Sequence, residues 1–161
     1  RAVKYTAELY GEDRALLAEK TGTLDLPPRD YGVVPLYLPN VYSGERVAAQ
    51  AFISFDESSF RWFRLENPLV TLVSDSPVLA GTPEAPRVTA VFTNPSVETV
   101  RKAKVVAAVF DAEGNVIAAS QTILPDLGPG GSAEAVFTWN EPFVSSPARI
   151  DARPLLTVPA P

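Results

Sequence analysis

Two stretches decide the fold when one is set above the other: "KYTAELYGEDRALLAEKTGTLDLPPRDYGVVPLYLPN" (4–40) and "KVVAAVFDAEGNVIAASQTILPDLGPGGSAEAVFTWN" (104–140). They align without a gap at an offset of 100 residues, Lys4 on Lys104, Ala7 on Ala107, Ala18 on Ala118, Leu24 on Leu124 and Asn40 on Asn140. Leu9/Val109, Tyr10/Phe110, Leu16/Val116, Leu17/Ile117, Leu36/Val136 and Tyr37/Phe137 keep apolar character in phase. A repeat of this period means two copies of one supersecondary module. Within each copy the apolar residues alternate, Val3, Tyr5, Ala7 and Leu9 in the first and Ala103, Val105, Ala107 and Val109 in the second. Period two is the signature of a half-buried strand.

Each copy predicts four strands. The first lies at the start of each stretch, the second around 16–24 and 116–124, the third around 33–38 and 133–139, and the last around 47–55 and 149–155. Pro/Gly-rich runs, "DLPPRDYG" and "PDLGPGGS", separate the second from the third. Before Lys104, "PRVTAVFTNPSVETVRKA" supplies a further strand through Val88, Ala90 and Phe92, with an earlier one near 69–73 and a turn at "TNPS". Before Lys4 there are three residues only. The reading is therefore all-β: two tandem immunoglobulin-like β-sandwich modules, 1–66 and 67–161, the first without its N-terminal strands. Such a module exposes an edge and an apolar face and invites pairing with another chain.

Composition agrees. Hydrophobic residues make up 46% of the 161 and charged residues 20%, enough for a packed core, and 16 prolines suit many short strands. Net charge is −5, with no Lys/Arg cluster able to track phosphates, so nucleic acid is not an expected partner. Cys and His are both absent. That excludes thiolate and imidazole chemistry, the triads built on them, and Cys- or His-ligated metals. What remains for an enzyme is paired carboxylates such as Asp56 with Glu57 or Asp111 with Glu113, and these fall on turns and linkers where acids are ordinarily solvated. No stretch reaches the roughly 18–20 apolar residues that span a bilayer. With no Met and an abrupt "RAVKYTAELY", the chain reads as part of a longer protein whose anchor or export signal would lie outside it.

Three features could carry a site. "DAEGN" places Asp111, Glu113 and Asn115 at alternate positions, as a calcium loop does, but offers three ligands where six to eight oxygens are wanted. The matching positions of the first copy are Gly11, Asp13 and Ala15, which keep a polar connection and lose two ligands. Hence the expectation is a hairpin turn, with Gly114 and Asn115 suited to positive φ, and no metal or other cofactor. In "FDESSFRWFRLENP", Phe60, Trp62 and Phe63 offer either a binding surface or, as the simpler expectation, the filling of a junction between modules. Trp139, in "VFTWNEPF", is matched only by Pro39 and is either core or an aromatic platform for a glycan.

"VVAAVFDAEGNVIAAS" followed by "LGPGGSAEAVFTWNEPF" is similar to FxLYD-like β-sandwich modules of bacterial surface proteins and lipoproteins, where a strand ending in an aromatic-Asp pair meets a D-x-x-G-N turn. The whole chain resembles two-module proteins of uncharacterised function from bacteria with small genomes, in which an "NPN"- or "NPS"-type turn precedes each module and a membrane segment lies upstream. "FTNPS" at 92–96 fits the turn before the second module; Gly11, where the family pattern has Asp, departs from it. The resemblance implies a non-catalytic, extracytoplasmic protein of the cell envelope, membrane-anchored through a segment outside this chain. It would act as a spacer, in adhesion, or by binding a protein or another envelope component. A carbohydrate-binding module is the alternative, and a small carboxylate-dependent hydrolase a distant third.

Overall fold

A computed structural model describes residues 2–26, 35–39, 41–42, 44, 46–62 and 71–155. All regular structure among them is β, in ten strands: β1 (Ala2–Tyr10), β2 (Leu16–Asp25), β3 (Gln50–Arg61), β4 (Val73–Ser74), β5 (Val78–Thr82), β6 (Ala85–Thr93), β7 (Lys104–Phe110), β8 (Val116–Ile123), β9 (Ser132–Thr138) and β10 (Arg149–Pro154). The chain divides into two compact units, one containing Arg1–Asn67 and the other Pro68–Thr157.

The second unit is a sandwich. One sheet has the order β10-β7-β8; in the other, β6 pairs with β4 and β5 along one edge and with β9 along the opposite edge. β4 and β5 are one interrupted edge strand. Pro77 cannot donate to a ladder, and only Asp75 N–H, donating to Val91 O at 3.0 Å, bridges the gap. Alternation sets the inward faces: Val88, Ala90 and Phe92 of β6 and Ala135 and Phe137 of β9 meet Val105, Ala107 and Val109 of β7 and Ala152 of β10. Across β6–β9 Phe92 lies opposite Ala133 and Phe137 opposite Val88, with Ala90 and Ala135 between them. Phe92 and Phe137 are both buried, each contributing about 2–3 kcal/mol of hydrophobic free energy.

The first unit holds one antiparallel sheet, β2-β1-β3. Its ladders repeat those of β8-β7-β10 residue for residue. Lys4 faces Thr23 as Lys104 faces Ile123, Tyr10 faces Leu16 as Phe110 faces Val116, and the register slips at the same place, between Leu9 and Tyr10 and between Val109 and Phe110. The third strand keeps the register at an offset of 99: Gln50 faces Tyr10 as Arg149 faces Phe110. The ungapped alignment therefore holds through the hairpin and drops one residue before the last strand.

Two strand expectations need correction. Pro35–Leu38 form no strand, while Val33 and Val34 lie outside the described residues. The reason is the partner: β9 exists by pairing with β6, and among the described residues no strand of the first unit takes the place of β6. The last strand of the first unit begins at Gln50, not residue 47, and runs to Arg61 through an irregularity at Asp56. Near 69–73 the described strand is β4, starting at Val73; Leu69 lies outside the described residues.

Candidate functional site

The "DAEGN" turn is held by backbone bonds from Asp111 N–H to Asn115 O (3.0 Å) and from Gly114 N–H to Asp111 O (3.2 Å). "GEDRA" makes the same pair, Gly11 N–H to Ala15 O and Arg14 N–H to Gly11 O. Positive φ falls at Gly114 (87°) and at its counterpart Arg14 (62°), not at Asn115. A carboxylate caps the turn in both copies, from different positions. Asp111 Oδ1 accepts from Asn115 N–H at 2.7 Å, while in the first copy Asp13 Oδ1 accepts from the matching Ala15 N–H at 3.2 Å. Asp111 Oδ2 also takes a bond from Asn115 Nδ2 at 3.1 Å, so Asn115 presents a donor, not a ligand oxygen, to the carboxylate. Glu113 is exposed beside them. Among the described residues no three acids lie close enough to hold a metal ion together.

These bonds have a titration consequence. Partial desolvation alone would raise the Asp111 pKa, but bonds from the Asn115 side chain and backbone, with Glu113 and Gly114 N–H, outweigh it and hold the carboxyl below its usual range. A depressed folded pKa contributes stability above the unfolded pKa, lost as pH falls through the folded one. Asp111→Ala should therefore lower the melting temperature of the second unit at neutral pH, by an amount that shrinks in acid. A pH-independent difference would contradict the capping role. Chelator should leave the melting midpoint of the parent unchanged; an increase on adding calcium would restore the ligand reading.

The Asp56–Glu57 pair sits at the irregularity in β3. Asp56 Oδ1 accepts from Ser58 N–H (3.0 Å) and Ser58 Oγ (2.6 Å), Asp56 O accepts from Ser59 Oγ, and Ser59 Oγ accepts from Lys4 N–H at 2.8 Å. The Ser58 hydroxyl is the main cause of the lowered Asp56 pKa. These bonds let Lys4 face Asp56 while Ala2 faces Arg61. Asp56 shapes the strand, and a depressed pKa suits a turn-forming carboxylate rather than a general acid.

The aromatic candidates separate. Trp139 packs half-buried against the core of the second unit, edge-to-face with Phe143 at 5.2 Å between centroids, its Nε1–H donating to Ala119 O. Trp62 is 72% exposed and Phe60 half-buried, while Phe63 lies outside the described residues. Sequence reasoning missed Phe52 (55% exposed) and Phe55 (44%). The signal was present: both lie on one strand yet have opposite parity, so one sheet face cannot bury both. Phe52, Phe55 and Trp62 are the exposed aromatics among the described residues, and all sit on β3 or one residue beyond it. Every residue from Gln50 to Ser58 is exposed.

Behind β3, Lys4, Thr6, Thr21, Thr23, Ser54 and Asp56 share the polar face of the sheet by register. They line an open depression of about 520 Å³ with Tyr5, Gly22 and Phe55. Hydroxyls predominate there, and the two charged groups, Lys4 and Asp56, face each other across the β1–β3 ladder. No family model matches the chain, and no curated protein or solved structure is significantly similar to it.

Proposed function

We propose that this is a non-catalytic β-sandwich protein of the cell envelope that works by binding another protein or envelope component through its first unit. The observation that carries the reading is the gathering of exposed aromatics on β3, an edge strand, where extended partners add by main-chain pairing and are selected by alternate side chains. The acids best placed for chemistry, Asp56 and Asp111, are engaged in shaping turns, which fits an architectural protein. Replacing Phe52 and Phe55 together by serine should reduce retention of the purified chain on immobilised envelope fractions by about tenfold or more, as loss of aromatic anchors does. The exposed pair Val97 and Val144, changed in the same way, should have no effect. Equal losses from both pairs would remove β3 from the function.

Placement outside the cytoplasm, and anchoring through a segment beyond this chain, rest on the resemblance to surface and lipoprotein modules. Protease added to intact producing cells should cleave the chain; protection until lysis would overturn that placement. A glycan-binding reading is kept for Trp62, whose exposure suits stacking on a sugar ring. It requires Trp62→Ala to abolish polysaccharide quenching of tryptophan fluorescence without altering the melt.

A further inference from the structure

β3 and β10 occupy the same edge of the same repeated sheet, so each serves as a control for the other. β10 is six residues long, carries Arg149, Asp151 and Arg153, and ends in Pro154. Short length, charge and proline are the devices by which edge strands are kept from pairing. β3 has none of them over its first half. It runs for 12 residues, and "QAFISF" (50–55) contains no charge and no proline. A six-residue segment of this kind, exposed along an edge, is a template for another strand. Among the described residues no strand pairs with its outer edge.

The sequence of β3 indicates which strand fits. The regular part of the ladder runs from Gln50 to Asp56, where the irregularity begins, and Ile53 is its middle. An antiparallel copy of the same segment, related by a two-fold axis at Ile53, sets Phe52 opposite Ser54 and Phe55 opposite Ala51, large against small on both faces. At the ends Gln50 meets Asp56, an amide donor against a carboxylate. Shifting the register by one residue would set the apolar face of one strand against the polar face of the other. Centring on Ser54 instead would set Phe52 against Asp56 and Ala51 against Glu57. An isologous interface needs one patch complementary to itself, and this segment meets that condition.

We infer that the chain associates with a second copy of itself through antiparallel β3–β3 pairing centred on Ile53, joining two three-stranded sheets into one of six. The inference deepens the reading of β3 as an interaction edge, and the two can fail separately. The full chain should sediment at twice its 17.3 kDa mass as concentration rises, and Ile53→Lys, which places two ammonium groups at the axis, should return it to monomer with its melt intact. Because the chain has no cysteine, Ile53→Cys introduces a single thiol, opposite its symmetry mate. Mild oxidation should convert that variant to a disulfide-linked dimer while Val97→Cys, at a site 90% exposed in the second unit, stays largely monomeric. A chain that is monomeric at all concentrations overturns the inference, as does cross-linking no faster at 53 than at 97. If in addition retention on envelope fractions still depends on Phe52 and Phe55, self-pairing is wrong and the interaction reading survives.

Discussion

Asn94→Ala is expected to destabilise the second unit by about 2–4 kcal/mol, because one change removes five hydrogen bonds made by a fully buried side chain. Asn94 is the one fully buried polar side chain among the described residues. Its Nδ2 donates to Glu98 O (2.7 Å), Leu127 O (3.0 Å) and Gly128 O (3.1 Å), and its Oδ1 accepts from Ser96 N–H (3.0 Å) and Ser96 Oγ (2.7 Å). The side chain thus ties the β6–β7 connection to the loop that feeds β9, beside main-chain bonds from Asn94 N–H to Gly131 O and from Gly130 N–H to Asn94 O. Alanine removes all five of these bonds; Leu127 O and Gly128 O keep their main-chain donors, Val100 N–H and Gly131 N–H, while Ser96 N–H loses its acceptor and the two loops lose the side chain that ties them. Urea unfolding followed at Trp139, with Trp62 replaced by Phe, measures the loss in this unit alone; a cost below about 1 kcal/mol would mean that water replaces the amide at little penalty.

Asn94→Asp sharpens the same point. An aspartate can still accept from Ser96, but it turns a second oxygen toward three carbonyls, so its folded pKa must rise above the unfolded value. The sign then follows: protonation favours the folded variant, and its deficit against the parent should widen as pH rises from acid to neutral. Alanine, with nothing to titrate, should show no such widening.

The next largest effect is expected in the first unit, where Tyr5 lies across Gly22. The two face each other in the β1–β2 ladder, and a Cβ built on Gly22 would stand 2.5 Å from Tyr5 Oη and 2.7 Å from Cζ. Tyr5 is buried, so the ring cannot move aside freely. The matching pair in the second unit is Val105 facing Thr122, which fills the same space from the other strand. Gly22→Thr should therefore cost about 1–3 kcal/mol through overpacking. Tyr5→Val with Gly22→Thr, which transplants the other unit's pair, should recover more than half of that loss. Thermal melts of the two single variants and the double variant close the cycle. Strict additivity would show that the two residues do not share this space.

The hairpins β1–β2 and β7–β8 were legible because they are local and their alternation survives in both copies, down to a turn whose capping carboxylate has changed position. Residues 35–38 misled for a non-local reason. Their pattern resembles that of β9, but alternation only qualifies a segment for a ladder, and the ladder needs a β6. "TNPS" was legible as a turn, whereas the burial of Asn94 was not, since nothing in four residues tells that Leu127 and Gly128 return to meet it. The exposure of Phe52 and Phe55 was missed for a related reason. Large aromatics are usually covered, and the covering sheet that Phe92 and Phe137 help build over β7 has no described equivalent over β1.

The shared register has a consequence for folding fidelity. Two hairpins of one chain with the same ladder and the same slip offer each other's strands as alternative partners, and β1 could begin to zip onto β8 with the same main-chain register. Tandem repeats are prone to such crossed assembly. Here the side chains discriminate. Tyr5 set against Thr122 would be crowded, and Val105 set against Gly22 would leave a void, so each wrong hairpin is penalised in a different way. The exchange of bulk between strands, a minor detail of packing within either unit, favours each strand's own partner over the other copy's as the ladders form.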